Sequence, residues 1–294
     1  VANLTSDYTS IFSTLFDTSF GAQYQATGKL RKVVDPMNTF YNVGDNSITL
    51  ARAGQLDMIA KTGSYSTDVP ASDMSVAAIN FNFELRELKS AIGYFETKNF
   101  RPDAIPRLAM QHAAALQRFE DQKIITALSA GVPAANVIAD SGTNMTTDKL
   151  TQAREILGTN NVTGDLWVVM HWKQYKALLK EVEFTQSLFN PGTPLVQANP
   201  DTFNAPFAGF NIVVMGDVLR TGTGENMGLP VAANIRDCFA FSSNSLVLGY
   251  QQEILNSVTD VPNNARIEVL TMASCGAKAY NETGMVKVQC DETA

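Results

Sequence analysis

The chain has 294 residues, 45% hydrophobic and 17% charged, the mix of a globular protein of one large or two modest domains, which excludes intrinsic disorder. Its net charge is −7, and neither half is a basic module, so tight non-specific binding to nucleic acid is disfavoured. No apolar run nears the ~20 residues that span a bilayer, the opening residues lack the basic and apolar regions of a signal peptide, and Cys238, Cys275 and Cys290 lack the paired spacing of a disulfide framework or the CxxC of zinc sites.

Residues 1 to about 43 are rich in Ser and Thr, and within them Tyr8, Ile11, Phe12, Leu15 and Phe16 follow the stripe of an amphipathic helix. Ordering it costs about what its burial returns, so it needs a surface to lie on, in its own fold or on a neighbouring subunit. From Gly44 to Tyr94 the period changes to two. Ile79, Phe81, Phe83 and Leu85 alternate with polar residues, and Ile48 and Leu50 begin an earlier extended stretch through Leu56 and Met58, which predicts a long β-hairpin. Its tip, residues 62–73, is small and polar and should project from the body.

Pro102 to Pro106 marks a helix start and Gly131-Val132-Pro133 a stop, giving a rod about 40 Å long at ~1.5 Å per residue. Leu108, His112, Leu116 and Phe119 mark one face and Ala114, Gln117, Asp121, Ile124 and Leu128 another, so the rod should touch neighbours on more than one side. From about Thr146 to Phe241 helices and strands mix: a helix capped by Thr147-Asp148-Lys149, a strand at 165–170, a helix at 172–181 and a strand at 209–215. Residues 245–252 and 265–272 read as extended, and 276–280 with 285–289 flank Asn281-Glu282-Thr283-Gly284 as a terminal hairpin.

Chemistry is scarce. His112, among Ala and Leu, reads as a packed structural histidine, and His171, after a buried strand, as a cap or hydrogen-bonding group. No GxSxG, HExxH or P-loop motif is present. The Gly-rich stretch 220–228 departs from the dinucleotide fingerprint at Gly228, and Leu229-Pro230 prevents a helix from opening there. Glu120-Asp121, and Glu181 with Glu183, read as carboxylates on a solvated face, and Lys29-Leu30-Arg31-Lys32 as a cluster for an acidic patch on a neighbour. No catalytic, cofactor-binding or metal-binding residues are assigned.

The succession of arm, long hairpin, rod, mixed lobe and returning strands resembles the major capsid proteins of tailed bacteriophages, with the α+β Hong Kong 97-type capsid fold. The resemblance is carried by Arg118-Phe119-Glu120-Asp121-Gln122-Lys123-Ile124-Ile125-Thr126-Ala127-Leu128, by Asp165-Leu166-Trp167-Val168-Val169-Met170 leading to Gln174-Tyr175-Lys176-Ala177-Leu178-Leu179, by Gly209-Phe210-Asn211-Ile212-Val213-Val214, and by Gly276-Ala277-Lys278-Ala279-Tyr280 with Gly284-Met285-Val286-Lys287-Val288. It implies an N-arm at 1–43, an E-loop at 44–94, a P-domain with its spine helix at 95–145 and 246–294, and an A-domain at 146–245.

It further implies a non-enzymatic virion subunit, assembled in the host bacterial cytoplasm into pentamers and hexamers of an icosahedral shell around double-stranded DNA, without a membrane. Scaffolding, portal and decoration proteins are the further partners expected. Arg52, Asp57, Lys61, Arg86 and Glu87 along the hairpin, and Phe12 and Phe16 of the arm, are the candidate subunit-interface residues. The rivals are an encapsulin-type compartment shell and, more remotely, an α+β enzyme with a site in the 146–245 lobe.

Overall fold

The computed structural model describes residues 13–21, 29–41, 47–53, 76–93, 104–181, 206–217 and 228–293. Residues 13–21 form helix α1, and its Phe16 and Phe20, four apart on one face, are buried within the subunit. Leu15 is exposed, which corrects the predicted stripe: the buried face runs on from Phe16 to Phe20. Tyr8, Ile11 and Phe12 lie outside the described residues. Residues 29–41 then cross the body as a strap of two 3-10 turns, Arg31–Val33 and Pro36–Asn38, and the short strand β1, Thr39–Phe40. Asp35 starts the second turn by accepting the Met37 N–H at 2.8 Å.

Strands β2 (Ser47–Ala53) and β3 (Val76–Asn82) pair antiparallel as a two-stranded sheet of their own, Ile48 opposite Phe81 and Leu50 opposite Ile79. The predicted hairpin is therefore present at its base, and its tip lies outside the described residues. Strand β4 (Glu84–Gly93), however, follows Phe83 into the body sheet. Alternation breaks there, because β3 is half of a ribbon while β4 is an edge strand with Leu85 57% exposed.

Helix α2, Ala104–Gly131, is the predicted rod of 28 residues. Ala109, His112, Leu116, Phe119, Ile124 and Leu128 are all buried, so it is covered on more than one side. Strand β5 (Val137–Ile138) follows, then α3 (Thr147–Thr159), β6 (Leu166–His171), α4 (Trp172–Leu178), β7 (Pro206–Phe207) and β8 (Phe210–Met215). The cap of α3 is Thr146, one residue before the predicted one. The remaining strands are β9 (Val231–Ala232), β10 (Ile235–Ser242), β11 (Leu246–Val261), β12 (Arg266–Ala279) and β13 (Met285–Asp291).

Two larger sheets result. The first has the order β1-β11-β12-β4, with the rod packed against β12 and β11. The second has the order β5-β13-β10-β6-β8-β7, with β9 added on β10. Its inner strands β6 and β8 are near-continuous apolar runs, as is β10 from Cys238 to Phe241, because both faces are covered. The parallel pair β6 and β8 is joined by a crossover that contains α4. The predicted terminal hairpin is not formed: β12 pairs with β11 and β4, whereas β13 pairs with β10 and β5. The turn at 281–284 carries the chain from one sheet to the other, and Ser245 Oγ donates to the Gly284 carbonyl at 3.0 Å to hold it.

Candidate assembly surfaces

The strap is fastened at three points. The Leu30 N–H donates to Asp121 Oδ1 at 3.1 Å, Lys29 Nζ donates to the Val214 carbonyl at 3.2 Å, and the Tyr41 ring stacks on Tyr250 at 5.2 Å with the Arg31 guanidinium 5.4 Å from the Tyr250 centroid. It thus ties the rod, strand β8 and strand β11 together. The basic cluster expected to seek a neighbour's acidic patch is engaged at home through Lys29 and Arg31, a correction whose cause is the Val214 carbonyl and the Tyr41 and Tyr250 side chains within their reach. Glu120, expected on a solvated face, is 1% exposed and accepts the Tyr250 hydroxyl at 2.9 Å. Burial pushes the Asp121 carboxyl up to about 7, against the pull of the Leu30 amide.

The interface candidates are scattered by the fold. Arg52 is on β2, opposite Ala77; Asp57, Lys61 and Phe12 lie outside the described residues. Arg86, placed by the sequence on the hairpin, is on the body sheet, paired with Glu84 and 5.8 Å from the Phe119 centroid. Lys123 of the rod also binds Glu84, and its hydrogen bond holds that carboxyl below its usual range. Glu87 lies opposite Met272 on the neighbouring β12 and is exposed. Phe16 is corrected as an interface residue: it is 0% exposed, stacked on Phe20 and edge-on to His112 at 5.5 Å, so its own subunit covers it.

On the face of β4 turned to the rod, His112 is a buried polar bridge. Thr271 gives its hydroxyl proton to Asn256 Oδ1, so His112 Nδ1–H donates to Thr271 Oγ1 and Nε2 accepts from Ser90 Oγ, both at 2.8 Å. Burial lowers its pKa. The other face of β4 carries Leu85, Glu87 and Lys89, the last paired with Glu268. With Leu255 of β11, 43% exposed, it forms an open sheet surface of mixed apolar and charged character.

In the lobe, the polar groups that could have carried chemistry are spent on structure. His171 caps α4 by accepting the Lys173 N–H at 3.2 Å, as expected, and its Nε2 lies 3.4 Å from Asp217. Buried Arg236 holds Asp217 at 2.8 Å and pairs with Glu292, which Lys173 reaches at 2.6 Å. Glu181 accepts from the Thr147 backbone and hydroxyl at 2.8 and 2.7 Å, satisfying the start of α3. Lys149, 5% exposed, donates to the carbonyls of Asp140, Thr143 and Gln289 at 2.8, 2.8 and 2.9 Å. The Cys290 thiol and burial push Cys238 up, and burial pushes Cys275 up, which keeps both unreactive. Among the described residues no His, Cys, Asp and Glu group is arranged to hold a metal, and no helix is long and apolar enough to cross a membrane.

This arrangement of rod, sheets, ribbon and lobe is similar in overall fold to solved capsids. The chain has TM-scores of 0.64 to the capsid of cyanophage P-SCSP1u (13% identity, 86% of this chain and 85% of that one), 0.65 to the capsid of Ralstonia phage GP4 (10%, 85% and 84%) and 0.66 to the capsid of a native GTA particle (10%, 90% and 90%). The fold is thus the α+β Hong Kong 97-type capsid fold. No curated protein matches the sequence. The family model described as phage capsid protein matches residues 9–292, nearly the whole chain, and with it the chain belongs to the phage capsid protein family as a structural subunit of the virion.

Proposed function

We propose that the chain is the major capsid protein of a tailed bacteriophage, closing as pentamers and hexamers into an icosahedral shell around double-stranded DNA. The carrying observation is the β2–β3 ribbon, a two-stranded sheet of its own whose Leu50 and Ile79 are only half-buried. Such a ribbon is marginal in water unless something packs on it, and sister copies supply the missing contacts through heterologous interfaces that close into rings. In this reading residues 1–43 are the N-arm, 44–94 the E-loop, 95–145 and 246–294 the P-domain and 146–245 the A-domain. Its negative charge suits an inner wall that must not trap incoming DNA. Scaffolding, portal and decoration proteins are its further partners.

Size-exclusion chromatography with negative-stain microscopy tests this. Megadalton shells or capsomer rings support it, and a stable monomer or small dimer overturns it. Nuclease-resistant DNA inside purified particles separates a phage head from a compartment shell.

A further inference from the structure

We propose that a cross-strand glycine pair, Gly249 and Gly276, is the seat that fixes the direction in which the β2–β3 ribbon leaves the body, and through it the regularity of the shell. The inference rests on the capsid reading for its last step only. Gly249 of β11 and Gly276 of β12 are directly opposite each other. Neither adopts a left-handed φ, so conformational freedom does not explain them. Space does. A Cβ on Gly249 would lie 2.8 Å from Phe83 Cε1 and 3.1 Å from Phe81 Cε2; a Cβ on Gly276 would lie 2.6 Å from the Asn82 carbonyl oxygen and 3.2 Å from Phe81 Cδ2.

The two missing side chains open a trough in the sheet, and the root of the ribbon lies in it. Phe81 and Phe83 meet edge to face there, 5.6 Å between centroids. They belong to a small apolar cluster with Val247, Phe40, Leu50 and Tyr280, separate from the main core. The strap meets the same point, since Phe40 of β1 is the register partner of Gly249. Phe83 is also where the chain changes partner, from β2 to β12. Ribbon, strap and body therefore share one joint. At ~3.3 Å per residue the seven residues of β2 alone reach about 20 Å, so a small displacement of Asn82 is magnified at the far end.

The two glycines make different predictions. The nearest obstacle at Gly249 is the Phe83 ring, which can be shortened; the nearest at Gly276 is the Asn82 backbone. Gly249→Ala should therefore give irregular or open assemblies, and Phe83→Leu in that background should restore regular shells. Gly276→Ala should give the same defect without rescue by Phe83→Leu. In unassembled subunits, amide hydrogen exchange at 80–83 should quicken about tenfold in both alanine variants, a local opening of the size overpacking brings, while the rod amides stay unchanged. Shells of wild-type diameter and yield from both alanine variants overturn the proposal, as does unchanged exchange at 80–83. If the unaltered chain forms no shells, the capsid reading falls, and the exchange measurement still decides the seat. Should Gly276→Ala fail to fold, Gly249→Ala and its rescue decide it.

Discussion

Tyr250 donates its hydroxyl to Glu120 across 2.9 Å, joining the sheet to the rod through a carboxylate that is 1% exposed. The same ring carries Tyr41 on its face, so one tyrosine serves rod, sheet and strap. Tyr250→Phe keeps the stack and removes the donor. A loss of about 1–3 kcal/mol is expected, because a buried carboxyl acceptor is deprived of one bond, read from the midpoint of urea unfolding at constant slope.

Asp121 makes the stability of the subunit pH-dependent, because burial disfavours its charged form more than the Leu30 amide favours it. Its folded-state pKa, about 7, stands above its unfolded value, so its contribution to stability is fully present below about pH 4 and is lost as pH rises through 7. Asp121→Asn should flatten the stability profile between pH 4 and 7. An unchanged slope in that variant would remove Asp121 from the account.

His112 works in the opposite direction. Burial depresses its pKa, so the stability it contributes is present above about pH 6.5 and falls away as pH drops below that value. The groups facing it are the hydroxyls of Ser90 and Thr271 and the Phe16 ring, none of which balances a positive charge. His112→Gln should be less stable at neutral pH and lose less on acidification, measured by thermal unfolding at pH 7 and 5.

Lys149 satisfies three backbone carbonyls from one buried ammonium. Lys149→Met fills similar volume and bonds none of them. The expected loss is roughly 3 kcal/mol or more, with early exchange of the amides around Thr143 and Gln289.

Glu87 is the interface candidate that the fold leaves best placed, exposed on the open face of β4. Glu87→Lys should leave the unfolding midpoint of the isolated subunit within about 0.5 kcal/mol of wild type and lower particle yield. Arg86→Glu should do both kinds of damage, because it places a second carboxylate beside Glu84. Wild-type yield from Glu87→Lys would remove that face from the interface.

What the sequence discloses follows from how far each feature reaches. The rod, α3, β6, α4 and β8 are legible because periodicity and capping are local. The route of residues 276–289 is not: Asn281 to Gly284 has turn composition whether the flanking strands pair with each other or pass to different sheets, and only β10 and β11 decide between them. Glu120 and Asp121 look like surface charges because their partners, Tyr250 and Leu30, are far away in the chain. Gly249 and Gly276 did leave a trace. A glycine inside an extended pattern signals close backbone approach, but the approaching residue, Asn82, is visible only in three dimensions.

The position of β13 has a temporal consequence. It lies between β5 and β10, inside a sheet whose other strands precede it in the chain. Until Asp291 has cleared the ribosome, β10 lacks its neighbour along Ile235 to Phe241, and the lobe cannot close. Synthesis itself thereby postpones completion of this sheet until β13 has been made.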